Sequence, residues 1–457
     1  MKVTEAPEKN YEKEINPARS IAVKILNRLE RSGSYIDKLV DFELNTGNLS
    51  DLDKGLLQEL VYGVTRWKSK LDWVLVGFFH GDFQKCFNYV KNALRVGLYQ
   101  ILFLDKIPNS AAIDEAVEIV KRKQGKKTAG LINGVLRNIA RNIENIRYPK
   151  ENDDRAFYIS VMESHPKWMI SRWINRFGED ETLKLLRKNN EVPHQTIKIN
   201  PLKINLDEIK ALFNEHNVEF EESKYISGSI NVLTNKVKMP KTELFKDGKI
   251  TIQDTSATLA AKLLTVKENE KILDLCAAPG GKTSQFAEDS KGKGEIISVD
   301  LFDARIKLIN DNITRLGYKN VKTIANDIRN LEFTDEFDGV QVDVPCSGLG
   351  TIAKKPDIKW SFEKENFQNL NKLQLEFLEI ASKYVKKGGR IVYSTCTIEK
   401  CENEDIINKF LEKHPEFVLE PAQQFIHEEV CKDGMMQTFP QTHNMDGAFA
   451  ARLKRVK

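Results

Sequence analysis

From Lys271 onward short apolar runs alternate with helical stretches: KILDLC, EIISVD, VKTIAN, DGVQVDVP and RIVYSTC. Apolar runs of this length, each followed by a segment of helical spacing, specify a doubly wound parallel sheet. Such sheets bind ligands outside the carboxyl ends of their strands, so the residues that close each run are where chemistry is expected. Here they are polar or reactive: Cys276, Asp300, Asp327, Asp343 with Cys346, and Cys396.

The first run opens DLCAAPGGKT, where small residues let a ligand approach the backbone and the next helix presents its N terminus. A phosphate loop of the Walker type needs glycine five positions before Gly281. That position is Cys276, and G-x-G-x-x-G is also absent, so a nucleotide triphosphatase and a dinucleotide enzyme are disfavoured. Asp300 is placed to hold a ribose by its hydroxyls. Asp327 is read two ways, as an acceptor for an adenine amino group and as a helix N-cap.

Two cysteines, Cys346 in VDVPCSGLGT and Cys396 in YSTCT, fall at neighbouring strand ends. One buried cysteine would mean little, but two at one sheet mouth point to thiolate chemistry. A thiolate is wanted where a pyrimidine C5 must be made nucleophilic: addition to C6 turns the base into an enamine. Asp343, three residues before Cys346, suits N3 or the amino group of cytosine, with Lys282 orienting it. Strand-end placement does not choose between the two thiols.

Ahead of this domain, residues 16–147 carry helical periodicity, with Asn16 as N-cap, Pro17 at the first helical position and Ala22, Ile25, Leu26 and Leu29 as one apolar face. Five or so amphipathic helices predict an all-α bundle. Residues 151–265 open with a helical segment and continue with QTIKIN, VEFEES, INVLTN and KITIQD, an α+β linker in which Lys198, Asn200, Trp168, Arg172 and Trp173 are candidates for RNA contact, the two tryptophans more naturally core. The expected domains are therefore 14–148, 151–265 and 266–457.

Charge is uneven. Residues 1–150 carry 25 Lys/Arg against 18 Asp/Glu, and residues 121–150 hold nine bases and one acid, including KRKQGKK. This suits a polyanion, although a solvated helix end reads the same way. No apolar leader and no stretch of about 18 apolar residues is present, so a cytoplasmic chain without membrane contact is expected. Six scattered cysteines argue for reduced thiols, and Cys396/Cys401 with His427/Cys431 do not complete a zinc pattern, so no metal is expected.

DLCAAPGGKT, VDVPCSGLGTIAKKPDIKW and YSTCTIEKCENE resemble the motifs of the Nol/Nop/Sun family of RNA cytosine-5 methyltransferases, and the helical N-terminal region is similar to NusB-type RNA-binding domains. The combination is similar to bacterial methyltransferases of small-subunit ribosomal RNA. The resemblance implies S-adenosylmethionine as cofactor, 16S ribosomal RNA as partner and a Rossmann-like catalytic domain. It places the cofactor loop on Cys276, Ala277, Ala278, Pro279, Gly280, Gly281 and Lys282, the ribose acid on Asp300, the adenine-side acid on Asp327 and the catalytic-strand acid on Asp343. It also implies that Cys396 is the nucleophile and that Cys346 assists release. Departures are Val344 for alanine, Lys198 for arginine and Ala448 where an aromatic is common.

Competing readings are a DNA cytosine methyltransferase, which would make Cys346 the nucleophile, the same reaction on transfer RNA, and a catalytically idle RNA-binding assembly factor. The target nucleotide, the oligomeric state and the choice between naked RNA and an assembling subunit are not encoded in these motifs.

Overall fold

The computed structural model describes residues 16–457 apart from 153, 235, 236 and 335, so the expected leader-free N terminus and the first two residues of the expected bundle lie outside the described residues. The chain forms two compact units. One comprises the described residues up to Asn190 together with Lys355–Ser361; the other comprises Glu191–Lys354 and Phe362–Lys457.

The first unit is helical: α1 (Pro17–Ser32), α2 (Ile36–Thr46), α3 (Asp51–Arg66), α4 (Lys68–Phe78), α5 (Asn88–Phe103), α6 (Asn109–Arg141), α7 (Arg155–Met162), α8 (Lys167–Phe177) and α9 (Glu179–Asn190). Asn16 caps α1 as expected, its side chain accepting from the Arg19 amide at 3.3 Å. Ala22, Ile25 and Leu26 are buried with Ala18 and Val23, while Leu29 lies half-buried at the margin of that core. The two helices expected around the basic run are joined within α6, broken only at Gly125 (φ 83°, ψ 173°), and residues 121–127 are exposed.

Trp173 is fully buried, as its core reading requires, and Trp168 is half-buried. The motif residues of PDIKW belong to this helical unit. The Lys359 ammonium donates to the carbonyls of Arg66 and Ser164, both at 2.8 Å, and to Asn190 Oδ1 at 3.3 Å. Trp360 Nε1 donates to the Thr65 carbonyl at 2.7 Å, and Asp357 accepts from the Ile36 amide.

The second unit holds two sheets. The smaller follows β1 (Gln195–Ile199), α10 (Leu206–Glu215), β2 (Phe220–Glu222), β3 (Ser229–Val232), α11 (Glu243–Lys246) and β4 (Ile250–Ile252), with antiparallel order β2-β3-β1-β4. These are the four strands read from the sequence. Two expected RNA contacts on it are corrected. Lys198 is buried and ion-paired with Glu288, and the Asn200 amide is buried, donating to the carbonyls of Gly248 and Leu316. Both side chains are consumed by packing inside the unit and have no free polar edge for a nucleic acid.

After α12 (Thr255–Lys262) come β5 (Lys271–Leu275), α13 (Gly281–Asp289), β6 (Glu295–Asp300), α14 (Asp303–Leu316), β7 (Val321–Ala325) and β8 (Phe337–Asp343). The short α15 (Ile358–Ser361) falls in the helical unit, and α16 (Asn366–Tyr384) leads to β9 (Val385–Thr395). The parallel part of the sheet is ordered β7-β6-β5-β8-β9, so the strand order reverses between β5 and β8. That reversal opens a crevice at the carboxyl ends. Beyond β9 the sheet turns antiparallel: α17 (Glu404–Lys413), β10 (Phe417–Glu420), β11 (Cys431–Lys432), β12 (Met435–Thr438) and α18 (Pro440–His443) lead to β13 (Ala448–Arg455), which pairs with β9 and β10. The five strands read from the sequence are thus all parallel, as expected, and β10–β13 extend the sheet antiparallel beyond β9.

Candidate active site

The loop between β5 and α13 is drawn against the end of β6. Ala277 donates to the Val299 carbonyl at 3.0 Å, the Ala278 amide to Asp300 Oδ2 at 3.1 Å, and the Ala278–Pro279 peptide is cis. Gly280 has φ 95°, and a Cβ there would meet Ile309 at 3.2 Å, so only glycine serves. Cys276, also left-handed at φ 60°, is half-buried, and desolvation with the nearby Asp300 and Asp343 carboxylates pushes its thiol well above the ordinary range.

Asp300 is buried at the end of β6, where it accepts from the Leu301 amide at 2.9 Å and faces the Arg305 guanidinium at 3.3 Å. Asp274, under the same loop, accepts from Thr283 Oγ1 at 2.6 Å, and burial lifts its carboxyl to about 7. Its Oδ1 has no hydrogen-bond partner, nor has either amide atom of the buried Gln253, whose Oε1 lies 3.3 Å from where a Gly281 Cβ would stand. Orphaned polar atoms, a carboxylate at a strand end and an open helix N terminus fit S-adenosylmethionine, which brings ribose hydroxyls, a carboxylate and an ammonium group.

Asp327 stands apart from this cluster in its bonding. Its carboxylate accepts from the Arg329 amide at 3.0 Å, capping the short turn Ile328–Asn330, and pairs with the Arg329 guanidinium. The cap reading of this residue is therefore realised.

Across the crevice, Lys282 Nζ meets Asp343 Oδ2 at 2.6 Å, and Ser394 Oγ donates to Asp343 Oδ1 at 2.8 Å. Burial pulls the Lys282 ammonium down, but the Asp343 carboxylate outweighs it and holds the group above the ordinary lysine range. Cys346 Sγ lies 3.1 Å from Cys396 Sγ and accepts from the Cys396 amide at 3.3 Å. Cys396 is exposed and Cys346 half-buried. The side-chain hydrogen bond with Cys396, burial, and the charges of Cys396 and Glu402 raise the Cys346 thiol well above its usual value. Gly350 holds the loop after Cys346: its amide donates to the Cys396 carbonyl at 3.1 Å, and a Cβ would lie 1.8 Å from the Gly447 oxygen.

Residues 261–454 match the family described as 16S rRNA methyltransferase RsmB/F, residues 16–141 the NusB family, and residues 165–239 the ferredoxin-like domain of RsmF/B-like methyltransferases. The chain is 36% identical over 446 residues to the probable ribosomal RNA small subunit methyltransferase B of Bacillus subtilis, covering 96% of this chain and 98% of that one. It belongs to the RsmB/F family of 16S rRNA methyltransferases. The ribosomal RNA small subunit methyltransferase B of Photorhabdus laumondii is 32% identical over 96% of this chain and 98% of its own. The crystal structure of PH0851 superposes with a TM-score of 0.79 at 28% identity, over 96% of this chain and 99% of that one. The enzyme is accordingly an S-adenosylmethionine-dependent rRNA methyltransferase with a helical NusB-type region, an α+β ferredoxin-like linker and a mixed α/β catalytic sheet. Among the described residues no helix is long and apolar enough to cross a membrane.

For this family member the sequence motifs bring Lys282, Asp343, Cys346 and Cys396 together as expected. They did not single out Asp274, Gln253, Ser347, Gln374, Glu402 or Asn403. Glu402 and Asn403 stand in the CENE stretch of the last motif, yet nothing local ties Glu402 to Ser347, fifty-five positions away.

Proposed function

We propose that this rRNA methyltransferase forms 5-methylcytosine in 16S ribosomal RNA, with Cys396 as the nucleophile. The observation that carries the reading is the pair of thiols 3.1 Å apart at the crevice mouth, one exposed and the other half-buried. Cys396 thiolate adds to C6 of the flipped cytosine, the displaced electron pair shifts through C5 and C4 onto N3, and N3 takes up a proton from solvent to leave a neutral enamine. Asp343, braced by Lys282 and Ser394, is the group facing N3 or the amino group. Bound S-adenosylmethionine supplies the methyl group from a sulfonium that leaves as a neutral thioether. The C5 proton then departs to a water acting as base, the C6–S bond breaks with its electrons returning to Cys396, and N3 gives its proton back to solvent, with Cys346 assisting this release.

The cofactor cradle in this reading is Cys276, Ala277, Ala278, Pro279, Gly280, Gly281 and Lys282, with Asp300 for the ribose hydroxyls and Asp343 beside the methyl-bearing end. Asp327 serves the adenine side only by exchanging its contact with Arg329. The basic run at residues 121–127 is the segment best suited to rRNA phosphates. The test is a pair of variants: Cys396→Ala abolishes methyl transfer, while Cys346→Ala forms a covalent RNA adduct that persists. An adduct with Cys396→Ala would reverse the assignment. Mapping 5-methylcytosine in 16S rRNA with and without the enzyme checks the target base.

A further inference from the structure

The two thiols sit on different loops, yet one pair of adjacent side chains reaches residues that flank both of them. Asn403 spans Cys396: its Oδ1 accepts from Thr395 Oγ1 at 2.7 Å and its Nδ2 donates to the Thr397 carbonyl at 3.0 Å. Glu402 holds the residue after Cys346. Its Oε1 accepts from the Ser347 amide at 2.8 Å and from Gln374 Nε2 at 2.9 Å, and its Oε2 accepts from Ser347 Oγ at 2.5 Å. Gln374 Nε2 also donates to the Pro345 carbonyl at 3.0 Å, so the residue before Cys346 is tied to the same carboxylate.

The two arms are joined. Ser347 Oγ lies 2.8 Å from Thr397 Oγ1, and because the Ser347 hydrogen goes to the carboxylate, the Thr397 hydroxyl donates to Ser347. Glu402 and Asn403 are themselves fixed from below: Tyr393 Oη donates to the Glu402 carbonyl at 2.6 Å, and the Asn403 carbonyl accepts from the Ile406 and Ile407 amides of the following helix. Both side chains are buried, so neither reaches substrate. A buried carboxylate with no cation beside it and three donors converging on it is costly to keep unless its geometry is used.

We propose that Glu402 and Asn403 form a two-armed clip of positioning residues, in which the Asn403 arm aims Cys396 for attack on C6 and the Glu402 arm holds Cys346 for release of the methylated base. This rests on the cysteine roles proposed above. Its particular content is a division of labour: the arms govern different steps of one reaction. Thiol placement to within a fraction of an ångström matters here, since a displacement of about 1 Å at a reacting group costs on the order of a hundredfold in rate.

The experiment follows the covalent enzyme–RNA adduct by denaturing gel and single-turnover methyl transfer on 16S rRNA with the full chain and S-adenosylmethionine. In Glu402→Gln the new NH2 faces the Ser347 hydroxyl donor and reverses that bond. Adduct should form within about threefold of the wild-type rate but accumulate roughly tenfold in the steady state, as in Cys346→Ala. In Asn403→Ala adduct formation should fall by about ten- to a hundredfold with no accumulation. Ser347→Ala and Thr395→Val trim the partners and leave the clip in place; they should repeat the same split and keep the test open if either clip variant fails to fold. Equal loss of formation and turnover in both arms, or no adduct build-up on the Glu402 side, overturns the clip while Cys396→Ala and Cys346→Ala still behave as assigned. An adduct trapped with Cys396→Ala brings down the cysteine roles and the clip together.

Discussion

Lys282 Nζ and Asp343 Oδ2 meet at 2.6 Å across the crevice, one from the first turn of α13 and the other from the end of β8. Removing the cation leaves a half-exposed carboxylate without its brace. Lys282→Met should lower single-turnover methyl transfer by about a hundredfold, and Asp343→Asn by at least as much, at saturating S-adenosylmethionine and rRNA. A fall in affinity alone, with the rate at saturation intact, would contradict the placement of this pair beside the reacting base.

Thiol labelling separates the two cysteines without substrate. Cys396 is exposed, whereas Cys346 is half-buried with its thiol raised well above the ordinary range. Since alkylation follows the thiolate, iodoacetamide at pH 8 should modify Cys396 at least about tenfold faster than Cys346, with Cys431, pushed up to about 11 by burial, also slow. Peptide mass spectrometry over a time course reads this order directly.

Asp274 makes stability fall with rising pH. Its carboxyl is about 7 when folded, chiefly through burial, against a usual value of 3.8, so between those values the native state binds more protons than the unfolded chain. The protonated form's advantage is complete below about pH 4 and is lost as pH rises through about 7, an effect on the order of 4 kcal/mol. Asp274→Asn keeps an acceptor for Thr283 and should flatten that part of the profile in chemical denaturation across pH 4 to 8. An unchanged slope would show that Asp274 is not its source.

Lys359 anchors the Lys355–Ser361 segment within the helical unit by three acceptors and no carboxylate. Burial pulls its ammonium well below the usual lysine value. Lys359→Met strands the Arg66 and Ser164 carbonyls and should destabilise that unit by about 3 kcal/mol, seen as an earlier calorimetric transition. A transition unmoved within about 0.5 kcal/mol would mean that water replaces the ammonium without cost.

Trp173 tests the core of the same unit. It is fully buried on α8, and Trp173→Ala should cost about 3–5 kcal/mol, whereas a side chain kept for stacking on RNA would leave stability nearly unchanged. Urea denaturation of the full chain distinguishes the two.

Much of this was legible in advance because the signals are local. Strand ends at Leu275, Asp300, Asp343 and Thr395 follow from apolar runs closed by polar residues, and the Asn16 cap from a polar residue before proline. Lys198 and Asn200 misled because a polar side chain in an exposed-looking strand carries no mark of the partner that will bury it. Glu288 and the Leu316 carbonyl, which claim them, lie 90 and 116 positions away.

The sequence by itself determined the layered catalytic sheet, the small-residue loop after its first strand and the presence of two thiols at its mouth, because periodicity and turn chemistry act over a few neighbouring residues. Only the tertiary structure decided that Cys396 is exposed while Cys346 is half-buried, that PDIKW packs within the helical unit, and that Glu402 and Asn403 reach residues flanking the two cysteines. Those outcomes depend on burial and on hydrogen bonds between distant segments, which exist only once the strands have been set side by side.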